Sequence, residues 1–126
     1  MHVINRLAPL AMLGMLAATP APAAGFGEVS VVTHIDLIPN SAGVAPPEAV
    51  KLLKQFVTDS RKDPGVESFQ LITWSPTTNH FQLLELFRDR RSFEAHASAK
   101  HTVDFRNNLQ QYIGAPYDER LYRPVF

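Results

Sequence analysis

The run Phe81–Phe87, FQLLELF, has apolar residues on both sides of a strand, and this pattern restricts the fold more than any other in the chain. Successive side chains of a strand point to opposite faces, so Leu83 and Leu84 would lie on different faces of a sheet. Exposure of an apolar sheet face to water is unfavourable, so both faces of this strand need to be covered. We therefore expect helices on one face and a second copy of the chain on the other, in a two-fold homodimer. The alternative is a set of scattered surface leucines.

Hydrophobic periodicity predicts strands and helices along the rest of the chain. Apolar and polar residues alternate over 28–38, and β-branched and aromatic residues are frequent over 66–74 and 80–87. Apolar residues recur at helical spacing in the helical segments. In chain order, the predicted elements are a strand over 28–38, a helix over 47–61, strands over 66–74 and 80–87, a helix over 92–113 and a strand over 117–125. This βαββαβ order predicts an α+β ferredoxin-like fold with one antiparallel sheet and both helices on one face.

Turn and capping residues mark the ends of these elements. Asp63-Pro64-Gly65 ends the first helix, and residues 75–79 join the two central strands as a hairpin. Asp89 is expected to cap the second helix, which kinks or restarts near His101. Gly114 is expected to be the C-cap of that helix.

The N-terminus has the three parts of a cleavable secretory signal over residues 1–24. Arg6 gives a basic start, an apolar run extends from Leu7 to Ala18, and Ala21-Pro22-Ala23 is a small-residue cleavage region. The apolar run is too short to span a bilayer. We expect a secreted or periplasmic domain over 25–126 with no stable membrane insertion after cleavage; the alternative is an uncleaved N-terminal anchor.

Composition excludes several classes of function. The chain has 12 basic and 12 acidic residues without a block of like charge, so nucleic acid and anionic membranes are not expected partners. It has no cysteine, which excludes disulfides, thiol catalysis and cysteine-rich metal sites. An exported domain of this kind must be stabilised by packing or by self-association.

The second helix and the strand before it resemble a known family. The residues that carry the resemblance are the strand segment Leu84–Phe87, the motif Arg91–His96, and the later helix residues His101, Phe105 and Leu109, whose spacing matches that of the family. From His34 to about Arg120, the chain resembles the antibiotic biosynthesis monooxygenase domain, including its quinol monooxygenase-like members. Phe87 stands where tryptophan is common in that family. The resemblance implies a dimeric α+β barrel with a pocket in each subunit between the sheet and the helices.

The resemblance also implies two kinds of chemistry. Some members oxidise phenolic or quinol-type substrates with O2 and no cofactor, and others degrade heme. The heme-degrading members place an axial histidine on the second helix, and aligning Ser92-Phe93 with their Ser-Phe pair puts Arg106 at or near that position. Because no histidine stands at that position, iron-dependent degradation of heme is not expected, although His101 could bind iron from a different angle.

Cofactor-free oxygenation requires a base, a dry pocket and stabilisation of the substrate anion. Histidine suits the base because its ordinary pKa is close to neutral. His96 and His101, which match the two histidines of the family motif, are the candidate catalytic residues, with His96 as the general base. Alternatively, His96 is a core or surface histidine bonded to a backbone carbonyl, and His101 fixes the kink in the helix.

Five further residues complete the predicted site. Arg106 is a candidate catalytic residue that stabilises an oxyanion, and the alternative is a solvated pairing with Asp104 or Gln110 on the helix face. His34, Trp74, Phe93 and Tyr112 are predicted to bind the substrate. Trp74 could instead belong to the core or an interface, and His34 could be solvated.

No metal ion is expected. His96 and His101 are five residues apart, which on an ideal helix separates their directions by about 140°. His34 and Asp36 form one other weak ligand pair.

The sequence therefore predicts an exported, cofactor-independent monooxygenase-like protein that oxidises a small aromatic or quinol-type substrate with O2. The alternative is a non-enzymatic small-molecule binding protein, or a structural dimer, with the same fold.

Overall fold

The computed structural model describes residues 28–74 and 79–125. The predicted signal sequence and most of the predicted hairpin turn lie outside the described residues. The helices and strands, in chain order, are β1 (Val29–Asp36), α1 (Pro47–Ser60), β2 (Val66–Thr73), β3 (His80–Phe87), α2 (Arg90–Ser98), α3 (Lys100–Leu109), a 3-10 turn (Gln110–Tyr112) and β4 (Asp118–Tyr122). This order confirms the predicted ferredoxin-like α+β fold.

The four strands form one antiparallel sheet in the order β2-β3-β1-β4. In the register of its central pair, Ile35 lies opposite Phe81, and Thr33 lies opposite Leu83. These side chains are all buried on the face that the helices cover. The residues between them in sequence point to the opposite face, as strand geometry requires.

The core lies between the helices and this covered face. Ala49, Leu53 and Phe56 recur at helical spacing and form an apolar stripe on α1. The helix packs this stripe against the sheet, which buries all three side chains. The Phe56 ring stacks on that of Phe105 from α3, with centroids 3.9 Å apart. It also meets Phe69 of β2 edge-on at 5.4 Å. The two long helices and the sheet therefore share one continuous core.

The second predicted helix is divided into two. Asp89 caps α2 by accepting a hydrogen bond from the Ser92 backbone N–H at 2.8 Å, as predicted. At Ala99 the backbone is extended (φ −62°, ψ 145°), which ends α2 and starts α3. This confirms the predicted break near His101. The chain therefore changes direction between His96 and His101.

The expectation that Gly114 caps this helix is wrong. Helix α3 ends at Leu109 and continues as a 3-10 turn to Tyr112, so Gly114 lies beyond the helical segment. Its N–H instead donates to the Asp36 carbonyl at 2.8 Å. Among the described residues, positive φ occurs only at Gly43 and Gly65.

The side of the sheet away from the helices is called the open face. The strands place a row of half-buried or exposed side chains on it: Val32, His34, Asp36, Gln70, Ile72, His80, Gln82, Leu84, Leu86, Asp118, Arg120 and Tyr122. Leu84 and Leu86 confirm that β3 has apolar side chains on both faces. Within 28–74 and 79–125, the helices are all too short or too polar to cross a membrane.

Candidate functional site

A cavity of about 330 Å³ lies at one end of the open face. It is where the ends of β1, β2 and β3 meet, and it combines ionisable, amide and aromatic side chains. Its lining consists of His34, Asp36, Ile72, Thr73, Trp74, His80, Phe81 and Gln82. Its volume suits a small organic molecule. We call it the open-face pocket.

His80 and Asp36 form a hydrogen-bonded dyad in this pocket. They face each other in the β1–β3 register, and His80 Nδ1 lies 2.5 Å from Asp36 Oδ1. A carboxylate at Nδ1 fixes the orientation of the ring and leaves Nε2 as the nitrogen that exchanges a proton with a ligand. The dyad therefore has the chemistry of an oriented general base.

His34 and Trp74 lie beside the dyad. Gln82, which is opposite His34 in the register, donates its amide N–H to His34 Nδ1 at 3.2 Å, so the proton of a neutral His34 ring lies on Nε2. The Trp74 ring meets the His80 ring edge-on, with centroids 6.0 Å apart, and 65% of Trp74 is exposed. Two of the predicted substrate-binding residues are therefore together in one pocket, with a hydrogen-bond donor and an aromatic surface.

His96 and His101 lie on the other side of the sheet. His96 is 3% exposed and packs against the rings of Phe56, Phe69 and Phe87, with centroids 5.2–5.6 Å away. The expectation that His96 shares one cavity with His34 and Trp74 is therefore wrong. Strand β1 points His34 away from the helices, and α2 lies on the covered face.

The two histidines instead converge on Asp63, in the segment after α1. Asp63 Oδ2 lies 2.8 Å from His96 Nδ1 and 2.9 Å from His101 Nε2. The expectation that the histidines diverge by about 140° assumed one straight helix and is wrong, because the extended backbone at Ala99 turns α3 relative to α2. Burial lowers the pKa of His96, while Asp63 acts in the opposite direction. We call Asp63, His96 and His101 the His–Asp–His cluster.

Arg106 lies in a third group, on the covered face near β4. Its Nη2 atom is 2.5 Å from Glu119 Oε2, and its guanidinium lies 5.3 Å from the centre of the Tyr117 ring. The alternative pairing with Asp104 is wrong, because Asp104 binds Lys100. Burial raises the pKa of Tyr117 to about 12, so this phenol stays protonated.

Phe93 and Tyr112 also lie outside the open-face pocket. Phe93 is 8% exposed and meets Phe87 edge-on at 5.5 Å in the core. Tyr112 packs against the core from the 3-10 turn, and its carbonyl accepts the Ile38 N–H at 2.7 Å. The predicted substrate-binding set is thus divided between the two faces of the sheet.

Glu85, a buried carboxyl on β3, was not among the predicted site residues. It is 4% exposed, and its Oε2 atom has no hydrogen-bond partner among the described residues. Burial, then the nearby Glu119 charge, raise its pKa to about 8, although Arg106 and Thr33 act in the opposite direction. The sequence contained a signal for this burial. Glu85 is an even number of positions from Phe81 and Phe87, which are core residues, so its side chain points to the same face of the strand.

The sheet order and the single layer of helices define a ferredoxin-like α+β domain, with a cavity of about 330 Å³ on its open face. The chain belongs to the antibiotic biosynthesis monooxygenase family, whose model matches residues 45–108. No curated protein matches the sequence.

Solved structures share this fold. Rv0793 from Mycobacterium tuberculosis is 20% identical, with a TM-score of 0.66 over 79% of this chain and 97% of that one. A candidate antibiotic biosynthesis monooxygenase from Caulobacter crescentus is 16% identical, with a TM-score of 0.70 over 80% and 92% of the two chains. SnoaB, a cofactor-independent oxygenase from Streptomyces nogalater, is 13% identical, with a TM-score of 0.65 over 79% and 94%.

Proposed function

We propose that this protein is an exported, cofactor-independent monooxygenase that oxidises a small aromatic or quinol-type substrate with O2. Membership of the antibiotic biosynthesis monooxygenase family supports the class of reaction. The observation that carries the proposal is the His80–Asp36 dyad beside Trp74 in a cavity of about 330 Å³. A base and an aromatic surface are what an electron-rich phenol requires.

His80 is the general base in this proposal. Its Nδ1 atom is held by Asp36, so Nε2 removes the proton from a substrate hydroxyl and later returns it. The phenolate then supplies the electrons that reduce O2. In the overall reaction, one oxygen atom enters the ring and the other leaves as water, so that a phenol with a free ring position becomes a quinone.

The other pocket residues bind and stabilise the anion. Trp74 offers an exposed indole surface on which an aromatic ring can pack. His34, whose Nδ1 accepts from Gln82, presents Nε2–H as a donor to the developing oxyanion. This arrangement places the base and the donor in the same pocket.

The proposal includes a homodimer that closes the pocket. On the open face, Trp74 is 65% exposed, Tyr122 49% and Ile72 42%. Apolar side chains of this size favour contact with another surface. A second copy packed on the open face would exclude water from the pocket, and a dry site strengthens each charge interaction within it.

Oxygen uptake with a panel of hydroquinones and phenols tests the proposal. We expect His80→Ala to lower the rate by about 10²- to 10⁴-fold, because it removes the base. Lys54→Ala, an exposed change on α1, is the control and should leave the rate unchanged. Uptake that survives His80→Ala but is lost in His96→Gln would reject the open-face base and favour His96, the base that the sequence predicts.

A non-enzymatic small-molecule binding protein is the second candidate. The observation that favours it is the position of the pocket on the open face, where Trp74 contacts solvent in a single chain. Saturable binding of an aromatic compound without oxygen uptake would establish this reading. A structural dimer would show neither.

A further inference from the structure

We propose that the His–Asp–His cluster binds a divalent transition-metal ion of the zinc class. Asp63, His96 and His101 each offer one ligand atom, and these atoms all lie within 4.8 Å of one another. The cluster lies on the covered face, apart from the open-face pocket. The proposal is therefore independent of the proposed monooxygenase reaction.

The spacing of the ligand atoms suits a common ion. Asp63 Oδ2 lies 2.8 Å and 2.9 Å from the two imidazole nitrogens. Zinc binds nitrogen and carboxylate oxygen at about 2.0–2.2 Å. Two such ligands at angles of about 90–110° are roughly 2.9–3.5 Å apart, so both Asp63 oxygen–nitrogen distances lie at or close to this range. The two imidazole nitrogens lie within 4.8 Å of each other, and they would approach to contact one ion.

His101 shows that hydrogen bonding alone does not satisfy the cluster. Its Nε2 atom is buried and makes no hydrogen bond among the described residues, although Asp63 Oδ2 is 2.9 Å away. A buried ring nitrogen of this kind requires a partner. A metal ion is such a partner, because it accepts the lone pair of a neutral imidazole and can bind the neighbouring Asp63 carboxylate at the same time.

The surroundings of the cluster are apolar on one side. His96 is 3% exposed. The rings of Phe56, Phe69 and Phe87 surround His96 and exclude water on that side. The side chains of Asp63 and His101 are 18% and 27% exposed, so the cluster lies close to the protein surface.

An ion here would join three parts of the fold. Asp63 lies in the segment after α1, His96 on α2 and His101 on α3. The chain has no cysteine, so a metal ion could provide the cross-link that a disulfide provides in other exported domains. Two imidazoles and one carboxylate suit zinc, iron, nickel or copper, whereas magnesium and calcium prefer oxygen ligands.

Titration of untagged full-length protein with Zn²⁺, and with Co²⁺ as a visible-absorbing substitute, tests the proposal. We expect one ion per chain, a higher melting temperature with Zn²⁺, and no comparable change with Mg²⁺. His101→Ala and Asp63→Asn should each weaken Zn²⁺ binding by at least about tenfold, the lower range seen for the loss of a supporting group around a metal. His34→Ala and His80→Ala, on the open face, should leave the affinity unchanged.

Two results would overturn the proposal. The first is the absence of stoichiometric Zn²⁺ binding by a folded protein. The second is binding that survives His101→Ala but is lost in His80→Ala, which would place the ion at the open-face dyad. Because His96 is buried, its variants can fail for reasons of packing; the partly exposed His101 therefore carries the test, with a melting curve in chelator to show that the variant is folded.

Discussion

Glu85→Gln should remove a pH-dependent destabilisation from the fold. Glu85 is buried on the covered face with Oε2 unpaired, and its neighbour Arg106 is engaged by Glu119. Burial is the main cause of the rise in its pKa from 4.5 to about 8. Glutamine has the shape of the protonated carboxyl and does not ionise. The variant should therefore retain the fold while losing the titration.

The direction and size of the effect follow from the pKa in the two states. Between pH 4.5 and about 8, the unfolded chain releases the Glu85 proton while the folded chain retains it. The unfolded state binds fewer protons, so the free energy of unfolding falls as the pH rises. At about 1.4 kcal/mol per pH unit, the full loss is about 5 kcal/mol, of which about 3 kcal/mol falls between pH 5.5 and 8.5.

Urea denaturation followed by circular dichroism at pH 5.5, 7 and 8.5 provides the assay. We expect the stability of Glu85→Gln relative to wild type to increase by about 3 kcal/mol between pH 5.5 and pH 8.5. Glu67→Gln, an exposed change on β2, is the control and should follow wild type at each pH. A constant difference between Glu85→Gln and wild type across this range would refute the reasoning.

Three further predictions concern the fold, the assembly and the N-terminus. Gly65→Ala should lower the free energy of unfolding by about 2–4 kcal/mol in urea titrations, because φ is +81° and a Cβ would lie 2.0 Å from Ser92 Oγ. Gly43→Ala is the control: φ is +75° and nothing lies within 4 Å of the added Cβ, so the free energy of unfolding should fall by only about 1 kcal/mol. Equal losses in the two variants would contradict the proposed clash. Leu84→Lys on the open face should convert a dimer to a monomer in size-exclusion chromatography with light scattering, whereas Val103→Lys on α3 should not; a monomeric wild type would reject the dimer. Mass spectrometry of the exported protein should find an N-terminus after Ala23 or Ala24, and an intact residue 1 would reject cleavage.

The secondary structure was predictable because its signals are local. Alternation in β1, the helical stripe of α1 and the cap at Asp89 each depend on residues close together in the sequence. The break near His101 also came from local pattern. The two faces of β3 followed from Leu83 and Leu84, since neighbouring strand residues point in opposite directions.

The site was less predictable because it depends on how elements are placed in three dimensions. The sequence grouped His34 with His96, although alternation in β1 points His34 away from Val31 and Ile35, which the helices cover. The convergence of His96 and His101 on Asp63 required the extended backbone at Ala99, which ideal helix geometry does not include. The His80–Asp36 pair depends on the β1–β3 register, which joins residues 44 positions apart.

Tryptophan fluorescence tests most directly whether the open-face pocket is the functional site. Trp74 is the chain's one tryptophan, so emission excited selectively at tryptophan, and not at the three tyrosines, reports on this pocket. A titration with the hydroquinone that gives the fastest oxygen uptake should change the emission saturably, with a midpoint near the KM, and Ile72→Glu at the pocket wall should weaken both in parallel. Oxygen uptake that saturates while the emission of Trp74 stays unchanged would contradict the account.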